Sequence, residues 1–544
     1  MKRVMPIARL YVAVCGACCA WLGVVARAAE LLPPDRPIAA VVDHYIDAGL
    51  KIAEASPAPQ AGDENVIRRL SLDLVGRIPT AAEVQTYVAS SAPDKRALLV
   101  DRLLASPEFI SHQVNEFDTL LMAGGGNRAG DLREYLTQAI TENRPWDRIF
   151  RELVLAEDTK LTQPFIRGRV RDLDRLTNDV SMIFFGVNIS CAQCHDHPLA
   201  DDWKQDHFYG LKSFFNRTFD NGGLLGEREY GRVSYLTPKG EERQAKLMFL
   251  SGQLIDEPKA EEPDNKAKKA EQDLLKELAS KKQAPPKPKF SRRAKLVEAA
   301  MQPSEQRFLA RSIVNRLFHR FFGQGLVMPV DQMHSGNPPS HPELLDWLAR
   351  DVASHGFDLR RVIRGFVMSQ AYSRSSRWES EARPDANLFA VAVTRPLTPH
   401  QLACSLRVAT IDPQSVGNGA KPEDVQRKLV DLGKASRGMA SSFAQPDDNF
   451  QVSVSESLLF ANSDTATREL LSDGSDRLIG RLKQIKEPRE QVSASVWNVF
   501  GRAPDDDERK LLLSYLAERS DRPLDALRQL VWALVTSAEF RFNY

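Results

Sequence analysis

The feature that most constrains this sequence is that it repeats itself. Gly76-Arg-Ile-Pro-Thr-Ala-Ala-Glu83 returns as Gly501-Arg-Ala-Pro-Asp-Asp-Asp-Glu508, and Asp94 to Phe109 aligns without a gap to Asp525 to Phe540. Asp358 to Tyr372 is a third, weaker copy. The shared positions are an Asp at a helix start, apolar residues at helical spacing, and a Ser-x-Glu-Phe or Ser-x-Ala-Tyr ending. Such a pattern describes one helical packing unit used more than once, its closing aromatic folding back on its own core face. The other reading is a repeated ligand-binding element.

Between the copies the signals are helical. A helix is expected from Ile38 to Ala55, one from Leu132 to Ile140 stopped by Asn143-Arg-Pro145, and one from Trp146 to Leu155. Asp94 is read as a helix cap, and Gly124-Gly-Gly126 as a flexible break. Thr80-Ala-Ala-Glu83, Ser340-His-Pro-Glu343 and Thr398-Pro-His-Gln401 read as capping boxes. Strand signals are sparse: Tyr235 and Leu236, or Gln451 to Val454, are the runs expected to pair locally. Residues 257–297 are rich in Lys, Glu, Pro and Ala and read as a partly helical, mostly solvated linker. The expected fold is therefore mainly α. Two multi-helical domains, 35–245 and 301–544, are joined by a charged segment over 246–300.

The chain opens with Lys2, Arg3 and Arg9, an apolar run from Leu10 to Val25, and Ala26-Arg-Ala28. That order of charge, apolar stretch and small-residue site is a secretory signal peptide over 1–28, giving an exported, periplasmic or secreted protein with no membrane span after cleavage. Lys and Arg number 73 against 72 Asp and Glu; the segment 1–28 removes four basic and no acidic residues and leaves 69 against 72. Without a basic excess, no nucleic-acid partner is expected. Cleavage also removes Cys15, Cys18 and Cys19. Cys191, Cys194 and Cys404 remain, which excludes a disulfide framework.

Two of those three thiols sit in Cys191-Ala-Gln-Cys-His195, a C-x-x-C-H motif expected by chance on the order of 10⁻³ times in such a chain. In an exported protein this is the c-type haem attachment motif: the two thiols add to the haem vinyl groups and the histidine supplies one axial nitrogen to the iron. Cys191, Cys194 and His195 are thus the candidate haem residues. Other readings of the same residues stay open. With His195, His197 or His207 the two thiols make a ligand set for zinc or another transition metal, and the two thiols alone make a redox disulfide. Candidates for a sixth haem ligand are His207, Met333, His334 and His341, while His197 is too close in sequence to reach the opposite face. Asp331 with His334 is a further candidate metal pair, and His341 with Glu343 a candidate site at a helix start. Asp447-Asp-Asn449 reads as a solvated acidic turn. No G-x-S-x-G, H-E-x-x-H, Walker A or Rossmann glycine fingerprint is present.

The chain resembles a known family. Val66-Ile-Arg-Arg-Leu-Ser-Leu-Asp-Leu-Val-Gly-Arg-Ile-Pro-Thr80, Asn143-Arg-Pro-Trp-Asp147, Cys191-Ala-Gln-Cys-His-Asp-His-Pro198 and Asp206-His-Phe-Tyr-Gly210 resemble DUF1549, or PSCyt2, the planctomycete cytochrome-like domain. Val314-Asn-Arg-Leu-Phe-His319, Phe322-Gly-Gln-Gly-Leu-Val327, Asn337-Pro-Pro-Ser-His-Pro-Glu-Leu-Leu-Asp-Trp-Leu348 and Ala538-Glu-Phe-Arg-Phe-Asn543 resemble its partner, DUF1553 or PSD1. The resemblance implies an exported protein associated with secreted enzymes of polysaccharide breakdown. It also implies a separate redox partner such as a cytochrome c, because relatives often carry a second cytochrome module and this chain has one C-x-x-C-H.

The leading expectation is an exported redox or electron-transfer protein with haem c, linked to extracellular polysaccharide degradation. One alternative is a non-catalytic scaffold with a structural Cys/His metal site that binds a glycan or a secreted enzyme. Another is a metal-dependent hydrolase or oxidase.

Overall fold

The structure is a computed structural model that describes residues 31–123, 130–158, 160–196, 200–259, 261–380, 382–417, 419–446 and 468–544. The signal segment, the Gly124-Gly-Gly126 break, His197, the Asp447-Asp-Asn449 turn and the Gln451 to Val454 run lie outside the described residues. As expected, the chain is mainly helical. Among the described residues, strands form three small antiparallel pairs: Thr218–Asn221 with Leu224–Glu227, Ser234–Leu236 with Glu242–Gln244, and Arg395–Pro396 with Phe542–Asn543.

The sequence repeat is a structural unit of three helices and an aromatic latch. The first copy comprises helices Asp63–Val75, Ala81–Ala89 and Lys95–Leu104, then Ser106 and Phe109. The last comprises Pro488–Phe500, Asp506–Glu518 and Pro523–Val535, then Ser537 and Phe540. The middle copy reaches further upstream than its sequence match: Gln306–Phe322, Pro342–Ser354 and Leu359–Met368, then Ser369 and Tyr372.

Each first helix ends on a left-handed glycine, with φ of 72° at Gly76, 77° at Gly323 and 70° at Gly501. Each latch is the same pair of hydrogen bonds. The serine hydroxyl donates to the carbonyl three residues back (Leu103, Phe366, Leu534; 2.7–2.8 Å) and accepts the amide of the aromatic three residues on (3.1–3.3 Å). The aromatic ring is buried in all three, so the packing-unit reading describes the repeat.

Gly76 is the tightest of these joints. A Cβ there would lie 2.5 Å from Nδ1 of buried His112, whereas at Gly501 it would meet Val84 at 3.0 Å. Gly76→Ala combines a left-handed alanine with a clash inside the core. It is expected to cost about 2–4 kcal/mol, and Gly501→Ala about half of that, measured by urea unfolding.

The hydrophobic cores divide the chain at a different place from the charged segment. One core collects residues from Ile38 to Val391, including Phe249 and Leu296. The second collects Leu397 to Phe540 together with Leu72 and Ile78 from the first copy. The charged segment itself splits. Helix Asn265–Ser280 is largely exposed, with Leu275 its one buried residue. Arg292 and Arg293, expected in the solvated stretch, are instead buried, because Glu257 and Glu227 reach them as ion-pair partners (2.7 and 3.6 Å).

Thr80–Glu83 and Thr398–Gln401 form the expected capping boxes. Two expected caps need correction. Asp94 stands at its cap position without a side-chain hydrogen bond to the helix. At Ser340–Glu343 the helix starts one residue later, with Pro342 in its first turn and His341 at the cap, so Glu343 no longer sits where a box requires it. Ser340 is held outside, its amide donating to the Leu326 carbonyl at 2.8 Å.

Candidate functional site

The motif is delivered by a stretch that leaves regular helix by stages. Helix Leu173–Val180 widens into a π-turn over Ser181–Phe185 and ends at left-handed Gly186. The backbone of 186–188 then pairs with the segment after Pro329: Asn188 donates to the Asp331 carbonyl (2.7 Å), and Met333 donates to the Gly186 carbonyl (3.1 Å). Ile189 and Ala192 are buried and anchor the next turn, Ser190–Gln193, which is a 3₁₀ turn. Asn188 Oδ1 accepts both the amide and the hydroxyl of Ser190 and fixes the turn's start. With Ile189 and Ala192 inward, Cys191 and Cys194 stand exposed, both as free thiols.

The far side of the turn is held by the helix Gln205–Ser213. The Gln205 side-chain amide donates to the carbonyls of Gln193 (3.3 Å) and Cys194 (3.1 Å), and the Tyr209 hydroxyl donates to Gln193 O (3.0 Å). Gln193 in turn donates to Asp174, which pairs with Lys212 (2.5 Å). The Tyr209 ring stacks flat on Tyr235, centroids 4.2 Å apart, and the Tyr235 hydroxyl donates to Asp206. The sequence assigned none of these residues a supporting role: Asp206 and Tyr209 stand there only within the Asp206–Gly210 stretch, and Tyr235 only as a strand residue. The available signal was the i, i+4 spacing of Gln205 and Tyr209, which puts both on one helix face just after the motif.

His195 is exposed, and its Nδ1 lies 2.6 Å from the Asp196 carbonyl oxygen. A carbonyl only accepts, so Nδ1 carries the proton and the neutral ring keeps its lone pair on Nε2. This is how a ligating imidazole is prepared: one nitrogen donates to a carbonyl, the other is free for a metal. His207 has the opposite polarity. Its Nδ1 accepts the Lys204 amide (3.1 Å), and burial pushes its imidazole below the usual range, so the proton of the neutral ring is on Nε2. The Trp203 ring meets it edge-on at 5.9 Å.

Asp331, Met333 and His334 belong to the segment paired with the motif's lead-in, and Ser335 ties that segment to Asp202 (2.8 Å). His341 is buried and turned toward Gly49 and the Phe389 ring (5.5 Å) in the first core. Among the described residues, no group of three or more His, Cys, Asp or Glu side chains is gathered to hold a metal ion. None of the helices among them is long and apolar enough to cross a membrane.

The fold and site define a class: a mainly helical protein that presents two free thiols and a neighbouring exposed histidine on one turn. Residues 41–220 match the family model described as a protein of unknown function, DUF1549 (PSCyt2), and residues 292–516 match that of DUF1553 (PSD1), also described as of unknown function. The chain belongs to this two-domain PSCyt2–PSD1 family. No curated protein and no solved structure matches it.

Proposed function

We propose that this chain is an exported redox protein that carries c-type haem on Cys191 and Cys194, with His195 as the axial ligand, and exchanges electrons with a separate partner such as a cytochrome c. The observation that carries the reading is the 2.6 Å contact between His195 Nδ1 and the Asp196 carbonyl oxygen, which supports a ring with Nε2 as the available nitrogen, beside two exposed thiols on the same turn. When bound, haem supplies a one-electron iron couple. The protein's own part is to hold the turn and orient the imidazole, through Asn188, Gln205 and Tyr209.

The test is expression with an export signal in a host that has cytochrome c maturation machinery. The expected result is a Soret band and a haem-stained band on a denaturing gel, both absent from Cys191→Ala/Cys194→Ala. A colourless wild-type protein made under those conditions would overturn the proposal. Metal analysis and thiol titration of the same sample would then separate a structural Cys/His metal site from a redox disulfide.

A further inference from the structure

A small cavity lies where the first and middle copies of the repeat meet the segment that leads to the last. It has room for one water-sized sphere, whose centre ranges over about 10 Å³. Arg69 and Arg395 line it, together with Phe321, Phe322 and Phe389. Arg69 comes from the first helix of the first copy, Phe321 and Phe322 from the first helix of the middle copy, and Arg395 from the short strand Arg395–Pro396. Among the described residues, no carboxylate lines the cavity.

The two guanidinium groups are unequally served. Arg395 donates to Asp73 Oδ2 at 2.8 Å and to the Arg320 carbonyl. Arg320 in turn is matched by Glu116 (3.7 Å). Arg69 is buried and makes no ion pair among the described residues. Its Nε donates to the Tyr544 carbonyl (3.3 Å), and its Nη1 donates to the carbonyls of Arg374 (3.0 Å) and Tyr372. Nη2 is buried with no hydrogen-bond partner among the described residues. It is the nitrogen that Arg69 has left for the cavity. Two guanidinium charges therefore stand against the single charge of Asp73, which Arg395 already takes. Burial pushes the Arg69 guanidinium below its ordinary range, and the charge of Arg395 pushes the same way.

We propose that this cavity binds a monatomic anion, chloride in saline media, held between Arg69 Nη2 and the Arg395 guanidinium. Buried charges are normally paired, and a charge placed among aromatic walls counts for more than it would in water. A single water would fill the same space and take the same hydrogen bond, but it would leave the excess positive charge in place. The volume shuts out sulfate, phosphate and carboxylates, in which each oxygen alone is water-sized. So placed, the anion ties the first repeat copy to the strand that leads into the second core.

The experiment is urea unfolding of the full chain in mixtures of sodium chloride and sodium gluconate at constant ionic strength, gluconate being too large for the cavity. Release of one chloride on unfolding lowers the unfolding constant about tenfold for each tenfold rise in chloride above its Kd. That slope is expected in the wild type and is lost in Arg69→Met. Because Arg69→Met also removes buried hydrogen bonds, Ala371→Val is the second variant: it narrows the same cavity and keeps both guanidinium groups. Bromide gives the direct reading, since crystals grown in sodium bromide should show an anomalous peak between Arg69 and Arg395. Wild-type stability indifferent to chloride at constant ionic strength would overturn the proposal. So would the same slope in a folded variant, or an ordered water in the cavity of the bromide crystals.

Discussion

Asp73→Ala is expected to destabilise the chain by about 3–5 kcal/mol, read as a lower urea midpoint by circular dichroism. Asp73 is buried at the junction of the two cores. Its Oδ2 accepts the Tyr372 hydroxyl and the Arg395 guanidinium, each at 2.8 Å, and its Oδ1 accepts the Asn543 side-chain amide at 2.8 Å. One carboxylate thus joins a helix of the first copy, the latch of the middle copy and the final strand. Removing it leaves the half-buried Arg395 guanidinium without its ion-pair partner and takes an opposing charge away from the buried Arg69, whose own hydrogen bonds go to backbone carbonyls. That is the costly way to break a buried pair, in contrast to replacing both partners by apolar groups. Asp73→Asn keeps an acceptor for Tyr372 and should cost less.

Arg77→Met is expected to cost a similar amount at pH 7, about 3–5 kcal/mol, and the gap to wild type should narrow on acidification. Burial by itself would raise the Glu83 carboxyl. The charge and hydrogen bonds of Arg77 outweigh it and hold that group at about 2, against an ordinary 4.5. A carboxylate depressed in this way stabilises the fold above its unfolded value, and the contribution is lost as pH falls from 4.5 toward 2. The difference corresponds to about 3 kcal/mol. The variant lacks that stabilisation from the start, so urea midpoints at pH 7 and pH 3 should lie further apart in the wild type than in Arg77→Met. An unchanged gap at the two pH values would show that the Arg77–Glu83 pair (2.8 Å) does not set the acid limit. Arg502→Met should cost less, about 1–2 kcal/mol, because its side chain and both its partners, Glu508 and Glu539, are partly exposed.

What the sequence made legible was what short stretches of chain decide for themselves. Helix Trp146–Leu155 has the expected ends, because Pro145 opens it and an apolar stripe runs its length. The Thr80 and Thr398 caps depend on residues three apart and form as expected. Cys191, Cys194 and His195 were legible for the same reason. Legibility ended where a distant partner intervenes. Ser340 looks like a cap until the Leu326 carbonyl takes its amide. Arg292 and Arg293 look solvated until Glu257 and Glu227 arrive from upstream. The upstream part of the middle repeat copy stayed hidden because an insertion, residues 324–341, separates its first two helices. The props of the motif turn, Gln205 and Tyr209, share a helix face by their i, i+4 spacing, but the backbone carbonyls they hold leave no mark in the sequence to name their target.

The closure of the first repeat copy by residues 539–544 has a temporal consequence. Arg68 donates to the carbonyls of Glu539, Phe540 and Phe542, and Asn543 reaches Asp73, across 470 to 474 positions of chain. Synthesis runs from the other end, at about 5–20 residues per second. Cys194 therefore leaves the ribosome on the order of 20–70 s before the residues that lock the opening helices in place. Throughout that interval the thiols belong to a chain that has no means of completing its fold, and any chemistry that needs them in an open backbone has its window then.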